Sequence, residues 1–211
     1  MHGRRGPSGA AVSGVDGRVE RGNRTRRTVL RRAVDIASVE GLEALSVGRL
    51  AGELELSKSG VFALFGSKQE LQLATVREAS RIFVAEVLEP VAPAADGLAR
   101  LRGLCEGWLR YSQQRVFPGG CFFHGVMAEF DAREGAAHDA LVEAQHAWLA
   151  ELERCAERAR AAGELGADTD PAQLAFEVVA LMEAANAMSV LRGECAPYDR
   201  ARRGIASRLR A

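Results

Sequence analysis

Two Ser-Lys pairs are the residues of this sequence whose types and spacing best suit the binding of an anion. They are Ser57-Lys58 and Ser67-Lys68, and each serine directly precedes a stretch with helical periodicity. A serine at the N-cap of a helix leaves other N–H groups of the first turn free, and the following lysine adds a positive charge. The pattern predicts two helix tips that can contact phosphate groups.

A third serine, Ser46, precedes a helix whose apolar residues recur at positions i, i+3, i+4 and i+7. These residues are Val47, Leu50, Ala51 and Leu54. Leu56 precedes the second helix and is spaced to pack on Val61 as a hydrophobic staple, which fixes the angle between the helices. Ser67 and Glu70 form an S-x-x-E capping box that begins a longer third helix. Two short helices joined by a tight turn are typical of a helix-turn-helix.

The segment LAGELELSKSGVFALFGSKQEL, residues 50–71, resembles the N-terminal DNA-binding domain of TetR-family transcriptional regulators. The resemblance implies that the helix from Ser57 to Leu64 enters a major groove. Phosphate contacts are then expected from serine and lysine at the helix tips, and base-edge contacts from small residues of the second helix. The DNA-binding residues implied are Ser46, Ser57, Lys58, Ser59, Gly60, Phe62, Ala63 and Lys68.

Three departures from the family pattern affect this prediction. Glu55 stands in the turn where the family usually has glycine, and a left-handed backbone there costs about 1 kcal/mol or more. Phe62 replaces the common tyrosine and lacks its hydroxyl. Ala63 and Leu64 replace larger side chains, so few base-specific contacts are expected. An alternative is therefore an all-α small-molecule-binding or scaffold dimer whose head has lost DNA specificity.

Composition predicts an all-α protein without a catalytic site. Of the 211 residues, 47% are hydrophobic, aromatic residues are scarce, and long stretches of Ala, Leu, Glu and Arg favour helix. No nucleophile or nucleotide-binding motif is present, and neither the histidines nor the cysteines have metal-ligand spacing. No catalytic residue, metal or cofactor is expected. We expect reduced, mostly buried cysteines, with a redox or metal role as the alternative; they are Cys105, Cys121, Cys155 and Cys195.

The formal net charge is zero, but positive charge is concentrated near the N-terminus. The arginines of the first 32 residues are Arg4, Arg5, Arg18, Arg21, Arg24, Arg26, Arg27, Arg31 and Arg32. Such a basic end suits a nucleic-acid partner. Residues 1–22 are rich in Gly and Arg and predict a flexible tail, which is either an arm that contacts DNA or an inert leader.

The second half of the chain contains a candidate ligand pocket. Pro118, Gly119 and Gly120 break the helical pattern and precede an aromatic segment that begins at Cys121. An apolar cavity with a few polar groups is the usual composition of a small-molecule site. The expected ligand-binding residues are Trp108, Tyr111, Phe122, Phe123, His124 and Met127. The alternative for each is an ordinary place in the core.

The prediction is a helix-turn-helix head at residues 23–70 and a helical ligand-binding and dimerisation domain at residues 71–211, with about nine helices. The number and order of helices are similar to those of TetR-family proteins. That resemblance implies a ligand-responsive repressor that binds operator DNA as a homodimer and is released by a small-molecule effector. No apolar run approaches the roughly 20 residues that span a bilayer, so a cytoplasmic protein without a membrane partner is expected.

Overall fold

A computed structural model describes residues 12–93 and 96–210, and every regular element in these ranges is helical. The α-helices are α1 (Val12–Glu40), α2 (Val47–Glu53), α3 (Lys58–Phe65), α4 (Lys68–Phe83), α5 (Leu98–Gln113), α6 (Phe122–Phe130), α7 (Ala136–Ala161), α8 (Pro171–Arg192) and α9 (Ala196–Arg208). A 3-10 turn at Leu42–Ala44 joins α1 to α2, and a π turn at Val84–Leu88 continues α4. The predicted all-α class and helix number are confirmed.

The first helix begins earlier than predicted. Because α1 starts at Val12, the prediction of a flexible tail was wrong for residues 12–22, whereas residues 1–11 lie outside the described part of the chain. Each glycine in a helix costs only about 1 kcal/mol, and propagating an existing helix is much easier than starting one. The buried residues Val29, Ala33 and Val34 hold the later turns of α1 and provide that start.

One continuous core joins the N-terminal helices to the rest of the chain. The long helix α1 contacts α2 and α3 of the N-terminal part and also α4 and α6. In the second half, α8 packs between α7 and α9 and also contacts α5. The apolar stripe predicted for α2 is seated in this core, with Leu50 and Ala51 fully buried.

The helix α8 is more apolar than the sequence analysis expected. By length and composition, Pro171–Arg192 is the one helix of the described ranges that could cross a membrane, although buried helices of soluble proteins meet the same criterion. Its apolar residues divide between two faces. Leu174, Val178 and Met182 are buried against neighbouring helices, whereas Phe176 and Leu191 are exposed. This second, exposed face requires a separate explanation.

Candidate DNA-binding tip and ligand cavity

All three predicted serine caps are present. The side-chain oxygen of Ser46 accepts a hydrogen bond from the Arg49 N–H at 3.1 Å. That of Ser57 accepts from the Gly60 N–H at 3.1 Å. That of Ser67, at the start of α4, accepts from the Glu70 N–H at 3.0 Å. Each serine accepts a hydrogen bond from one backbone N–H and leaves other N–H groups of the first helical turn available.

The helix α3 presents a polar tip and buries its opposite side. Val61 and Phe65 are buried and attach α3 to the core. The eight residues expected to bind DNA are all exposed. The cap residue Ser67, which is not one of the eight, is half-buried. Phe62 is 55% exposed, so its ring faces solvent on the same surface as the tip.

The two tip lysines differ in their surroundings. Lys58 forms no hydrogen bond or ion pair with any residue that the structure describes. The Nζ of Lys68, by contrast, lies 2.8 Å from a carboxylate oxygen of Glu43 and donates to the Glu43 carbonyl. This hydrogen bond, followed by one from Gln72, holds the pKa of Glu43 below its ordinary value. Lys58 is therefore the lysine whose charge is available to a phosphate.

The turn between α2 and α3 has the backbone that glycine usually provides. Glu55 has φ 54°, in the left-handed region. The Leu56 N–H donates to the Ala51 carbonyl at 2.9 Å and the Glu55 N–H to the Gly52 carbonyl at 3.4 Å, which is the Schellman pattern. The predicted strain at Glu55 is therefore present, and the turn retains the hydrogen bonds that set the angle of α3.

Arginines of α1 support the tip from behind. Arg26 donates to the Leu64 carbonyl at the end of α3, and its guanidinium lies 4.6 Å from the centre of the Phe65 ring. Arg32 pairs with Glu53 at the end of α2. These contacts of Arg26 and Arg32 within the head were not predicted, because a partner that is distant in sequence leaves no local signal.

A cavity of about 610 Å³ lies between α4, α5, α6, α7 and α8. Four of the six predicted ligand residues line it, namely Trp108, Phe123, His124 and Met127. The structure adds walls that the sequence analysis missed, including Phe83 of α4, Trp148 of α7 and Glu183 of α8. Their helical periodicity indicated packing, and nothing local distinguished a cavity wall from a core position.

The other two predicted residues, Tyr111 and Phe122, do not line the cavity. Both are buried, and each contacts the ring of Phe117. The side chain of Phe123 takes the cavity-facing position next to Phe122, because residues one apart on a helix point about 100° away from each other. Tyr111 and Phe122 support the wall from behind.

Two buried thiols near these walls are poor nucleophiles. Burial raises the pKa of Cys121 to about 11 and that of Cys105 to about 12, with nearby Glu183 and Cys155 respectively adding to the effect. A thiol must lose its proton to react or to bind a metal. Cys155 is buried as well, whereas Cys195 is exposed. No group of three or more metal-ligating side chains occurs in the described ranges.

A carboxylate links the cavity helix α6 to the head. The two side-chain oxygens of Glu129 accept from the backbone N–H groups of Leu42 and Glu43, at 2.7 and 2.9 Å. Gly41 precedes them with φ 84°, and a Cβ there would lie 2.5 Å from a Glu129 oxygen. Glycine is therefore required for the approach. Glu129 holds the turn that leads directly into α2.

The family-model comparison decides the family. Residues 97–205, just over half of the chain, match the model described as "Tetracyclin repressor-like, C-terminal domain". This chain belongs to the TetR family of transcriptional regulators. Family membership accounts for the order of helices, with a helix-turn-helix before a larger helical body. A search of curated proteins gave no match.

Solved structures of other proteins have the same fold as this TetR-family chain. A regulator from Chloroflexus aurantiacus has 20% sequence identity and a TM-score of 0.82, over 89% of this chain and 95% of that one. A regulator from Saccharomonospora viridis in complex with choline has 19% identity and a TM-score of 0.75, covering 88% and 95%. AibR, in complex with isovaleryl coenzyme A and operator DNA, has 18% identity and a TM-score of 0.71, covering 86% and 96%.

Proposed function

We propose that this protein is a cytoplasmic, homodimeric repressor that binds operator DNA through α3 and releases it when a small molecule occupies the cavity. The tip residues Ser46, Ser57 and Lys58 are assigned to phosphates, whereas the predicted phosphate contact of Lys68 is not kept, because Lys68 pairs with Glu43. Ser59, Gly60, Phe62 and Ala63 are assigned to the groove surface. Trp108, Phe123, His124 and Met127 are assigned to the effector, with Tyr111 and Phe122 supporting them.

The unpaired charge of Lys58 at an exposed helix tip is the observation that carries the DNA assignment. The other exposed cation of the tip, Lys68, is already neutralised by Glu43. Lys58 has no such partner within the described ranges, and it stands at the first position of a helix whose apolar side is buried. A phosphate at this point would gain both the charge and the free N–H groups of the first turn.

Exposed apolar residues on α8 support a homodimer. Phe176 is 65% exposed and Leu191 is 85% exposed, and residues between them along the same face are small or apolar. The face includes Phe176, Ala180, Ala184, Ala187, Met188 and Leu191. Large apolar side chains in a contiguous exposed stripe mark a protein interface. A twofold pairing of this stripe would join two heads, and helix-turn-helix dimers bind half-sites about one helical turn, roughly 34 Å, or somewhat more apart.

The helix α4 provides a route from effector to DNA. It begins at Lys68, which holds Glu43 of the head, and its later residues Leu73, Val76 and Phe83 line the cavity. A ligand that displaces these walls would move α4 and with it the head. The free energy of DNA binding would then differ between the ligand-free and the ligand-bound position of the head, as control by an effector requires.

Two structurally similar proteins bind the classes of partner that this proposal names, a small molecule in both and operator DNA in one. The AibR structure contains both isovaleryl coenzyme A and operator DNA, and the Saccharomonospora viridis structure contains choline. These ligands differ in charge and size. The effector of this chain must therefore be argued from its own cavity.

A mobility shift on the DNA upstream of the protein's own coding sequence tests the proposal. We expect wild-type protein to retard a fragment, and Lys58→Ala to bind all fragments more weakly because a phosphate contact is lost. The salt dependence of log K should flatten by about 1 for each phosphate contact removed. Lys58→Arg is the matched control and should retain binding.

A second candidate function is a small-molecule-binding dimer that no longer reads DNA. The exposed Phe62 and the left-handed Glu55 favour it, because the first lacks a hydroxyl and the second strains the turn. Unchanged affinity in Lys58→Ala would contradict the phosphate assignment. Absence of a shift on any genomic fragment, together with ligand binding in the cavity, would favour this second candidate.

A further inference from the structure

Four large aromatic side chains form much of the cavity wall. Phe83 is central to them, with ring centroids 5.3 Å from Trp148 and 5.8 Å from Phe123, both edge to face. Trp108 completes the set and is buried. Aromatic faces carry partial negative charge and attract cations, tryptophan most strongly. The wall therefore suits an apolar molecule and also tolerates a positive charge.

The charged groups of the cavity are mostly acidic. Glu183, Asp139 and Glu143 line it, whereas Arg77 is the one lysine or arginine among the described lining residues. Three carboxylates against one guanidinium give the lining a formal charge of −2. Arg77, Asp139 and Glu143 are all exposed, whereas Glu183 is half-buried. The charge that an anionic ligand would meet in the interior is therefore that of Glu183, which would repel it.

Glu183 is the least exposed of the three lining carboxylates. It is half-buried on α8 and lies close enough to Cys121 for its charge to affect that thiol. In the part of the chain that the structure describes, no side chain or backbone group donates a hydrogen bond to it and no cation pairs with it. A partly desolvated carboxylate without a partner is unfavourable, and a positive ligand would remove that cost.

We propose that the cavity binds a monovalent organic cation with an apolar body, whose positive group lies beside Glu183 and whose body packs on Phe123 and Trp148. This inference rests on the proposed function, since it names the chemical class of the effector at that same site. Asp139 and Glu143 at the α7 side attract the cation toward the cavity. The negative charge of Glu183 favours a cation over a neutral or anionic ligand, and the aromatic walls bind the apolar body of any of them.

Intrinsic fluorescence tests the inference without a label. The chain has two tryptophans, Trp108 and Trp148, and both line the cavity. We would titrate three probes at constant ionic strength: 4-phenylbutyltrimethylammonium, the uncharged analogue with a tert-butyl group in place of trimethylammonium, and 4-phenylbutylsulfonate. We expect saturable quenching by the cation, with an affinity about tenfold or more above that of the neutral probe. The sulfonate should bind most weakly.

The variant Glu183→Gln separates charge from shape. We expect it to lower affinity for the cationic probe about tenfold and to change affinity for the neutral probe less than about twofold. Glu157→Gln removes an exposed carboxylate of α7 that does not line the cavity, and it should bind both probes like wild type. Thermal unfolding of each variant identifies any loss of affinity that comes from misfolding.

The possible outcomes are distinct. Equal affinity for the cation and the neutral probe, equal affinity of Glu183→Gln and wild type for the cation, or no quenching by any probe would each overturn the cation inference. If the sulfonate binds best and dissociates the protein from its promoter fragment, the inference fails while the regulator proposal stands. If the cation binds as expected but no DNA fragment is retarded, the inference stands and the regulator proposal fails.

Discussion

Glu55 lies in a conformation that its side chain disfavours, at the turn that orients α3. Its φ of 54° places it in the left-handed region, where a Cβ crowds the backbone. The Schellman hydrogen bonds of Leu56 and Glu55 to the end of α2 retain the turn in spite of this. The geometry of the helix-turn-helix is therefore kept by backbone hydrogen bonds, and the residue type at the turn contributes strain.

Glu55→Gly should stabilise the protein. Glycine adopts this φ without the steric cost, so we expect the free energy of unfolding to rise by up to about 1 kcal/mol. Urea denaturation monitored by circular dichroism measures this change. Glu55→Ala is the control, because it removes the same carboxylate but keeps a Cβ. If the alanine variant gains as much stability as the glycine variant, charge rather than backbone strain is responsible.

Local contacts could be predicted from the sequence, and distant ones could not. The caps of Ser46, Ser57 and Ser67 each join residues three apart, so the sequence pattern contains both partners. The ion pair of Lys68 with Glu43 joins residues 25 apart. The sequence consequently predicts DNA contacts for both lysines, and only the fold distinguishes Lys58 as the one without an ion-pair partner in the described ranges.

The helix α6 contacts the effector cavity and the head at once. Phe123, His124 and Met127 in its first turns line the cavity, and Glu129 near its end holds the turn before α2. These contacts lie within one rigid helix of nine residues. Under the proposed mechanism, a displacement at the cavity would therefore reach the head through α6 as well as through α4.

Glu129→Gln should loosen this connection. An amide can accept from one N–H but presents a donor to the other, so one charge-assisted hydrogen bond is lost. We expect the free energy of unfolding to fall by about 1.5–3 kcal/mol, the range for hydrogen bonds to charged groups. Faster amide exchange at Leu42 and Glu43, measured by NMR, would locate the effect. Glu134→Gln, an exposed carboxylate just beyond α6, should leave both measurements unchanged.

The N-terminal end of α5 is not capped by the nearest residue of a cap-forming type. Asp96 is such a residue, yet Gly97 occupies the N-cap and the Leu98 N–H donates to Glu164 at 3.0 Å. Asp96 instead pairs with Arg154 and Arg158 of α7. By contrast, Asp170 caps α8 as its sequence predicts. The Asp96 carboxylate is attracted more strongly by two guanidinium groups than by a backbone N–H. Because both arginines are distant in sequence, the local pattern does not predict these pairs.

Glu151 gives the α5–α7 contact a pH dependence. Burial raises its pKa, but hydrogen bonds from Arg154 and Arg100 outweigh burial and hold the pKa below its ordinary value of 4.5. A carboxyl whose pKa is lowered by folding stabilises the fold above the unfolded value and loses that effect as pH falls through the folded value. We expect Glu151→Gln to cost about 1 kcal/mol at neutral pH.

The measurement is urea denaturation of wild type and Glu151→Gln between pH 7 and pH 3. The difference in their free energies of unfolding should be constant above pH 4.5 and shrink below it. Glu153→Gln, a carboxylate of the same helix without such pairs, serves as the control. A difference that does not change with pH would contradict the ionic origin of the contribution.

The cavity belongs to the whole molecule, and this explains why only part of it could be predicted. Phe123, His124 and Met127 follow a conspicuous Pro-Gly-Gly break and were assigned to the site from sequence. Phe83 and Trp148 occupy ordinary helix positions that are far apart in the chain, and they meet only because α4 packs on α7. Periodicity identifies which side of a helix is apolar, whereas the empty space between two such sides depends on their relative position.

The exposed stripe of α8 should control both oligomeric state and DNA binding. Burying Leu191 and Phe176 in a twofold interface removes each from water twice, and one large apolar side chain is worth about 1.5–3 kcal/mol when buried. Leu191→Glu replaces this gain with two facing carboxylates. We expect dimerisation to weaken at least about 100-fold, because each 1.4 kcal/mol is a factor of ten.

Sedimentation velocity at micromolar concentration measures the dimer, and the mobility shift measures its consequence for DNA. Wild type should sediment as a dimer and Leu191→Glu as a monomer with unchanged helix content. The monomer should bind the promoter fragment far more weakly, since a single head loses the contacts of the second half-site. Ala161→Glu adds the same charge at an exposed position of α7 and should change neither result. A monomeric wild type that still binds DNA tightly would contradict the twofold arrangement, because one Lys58 tip would then suffice.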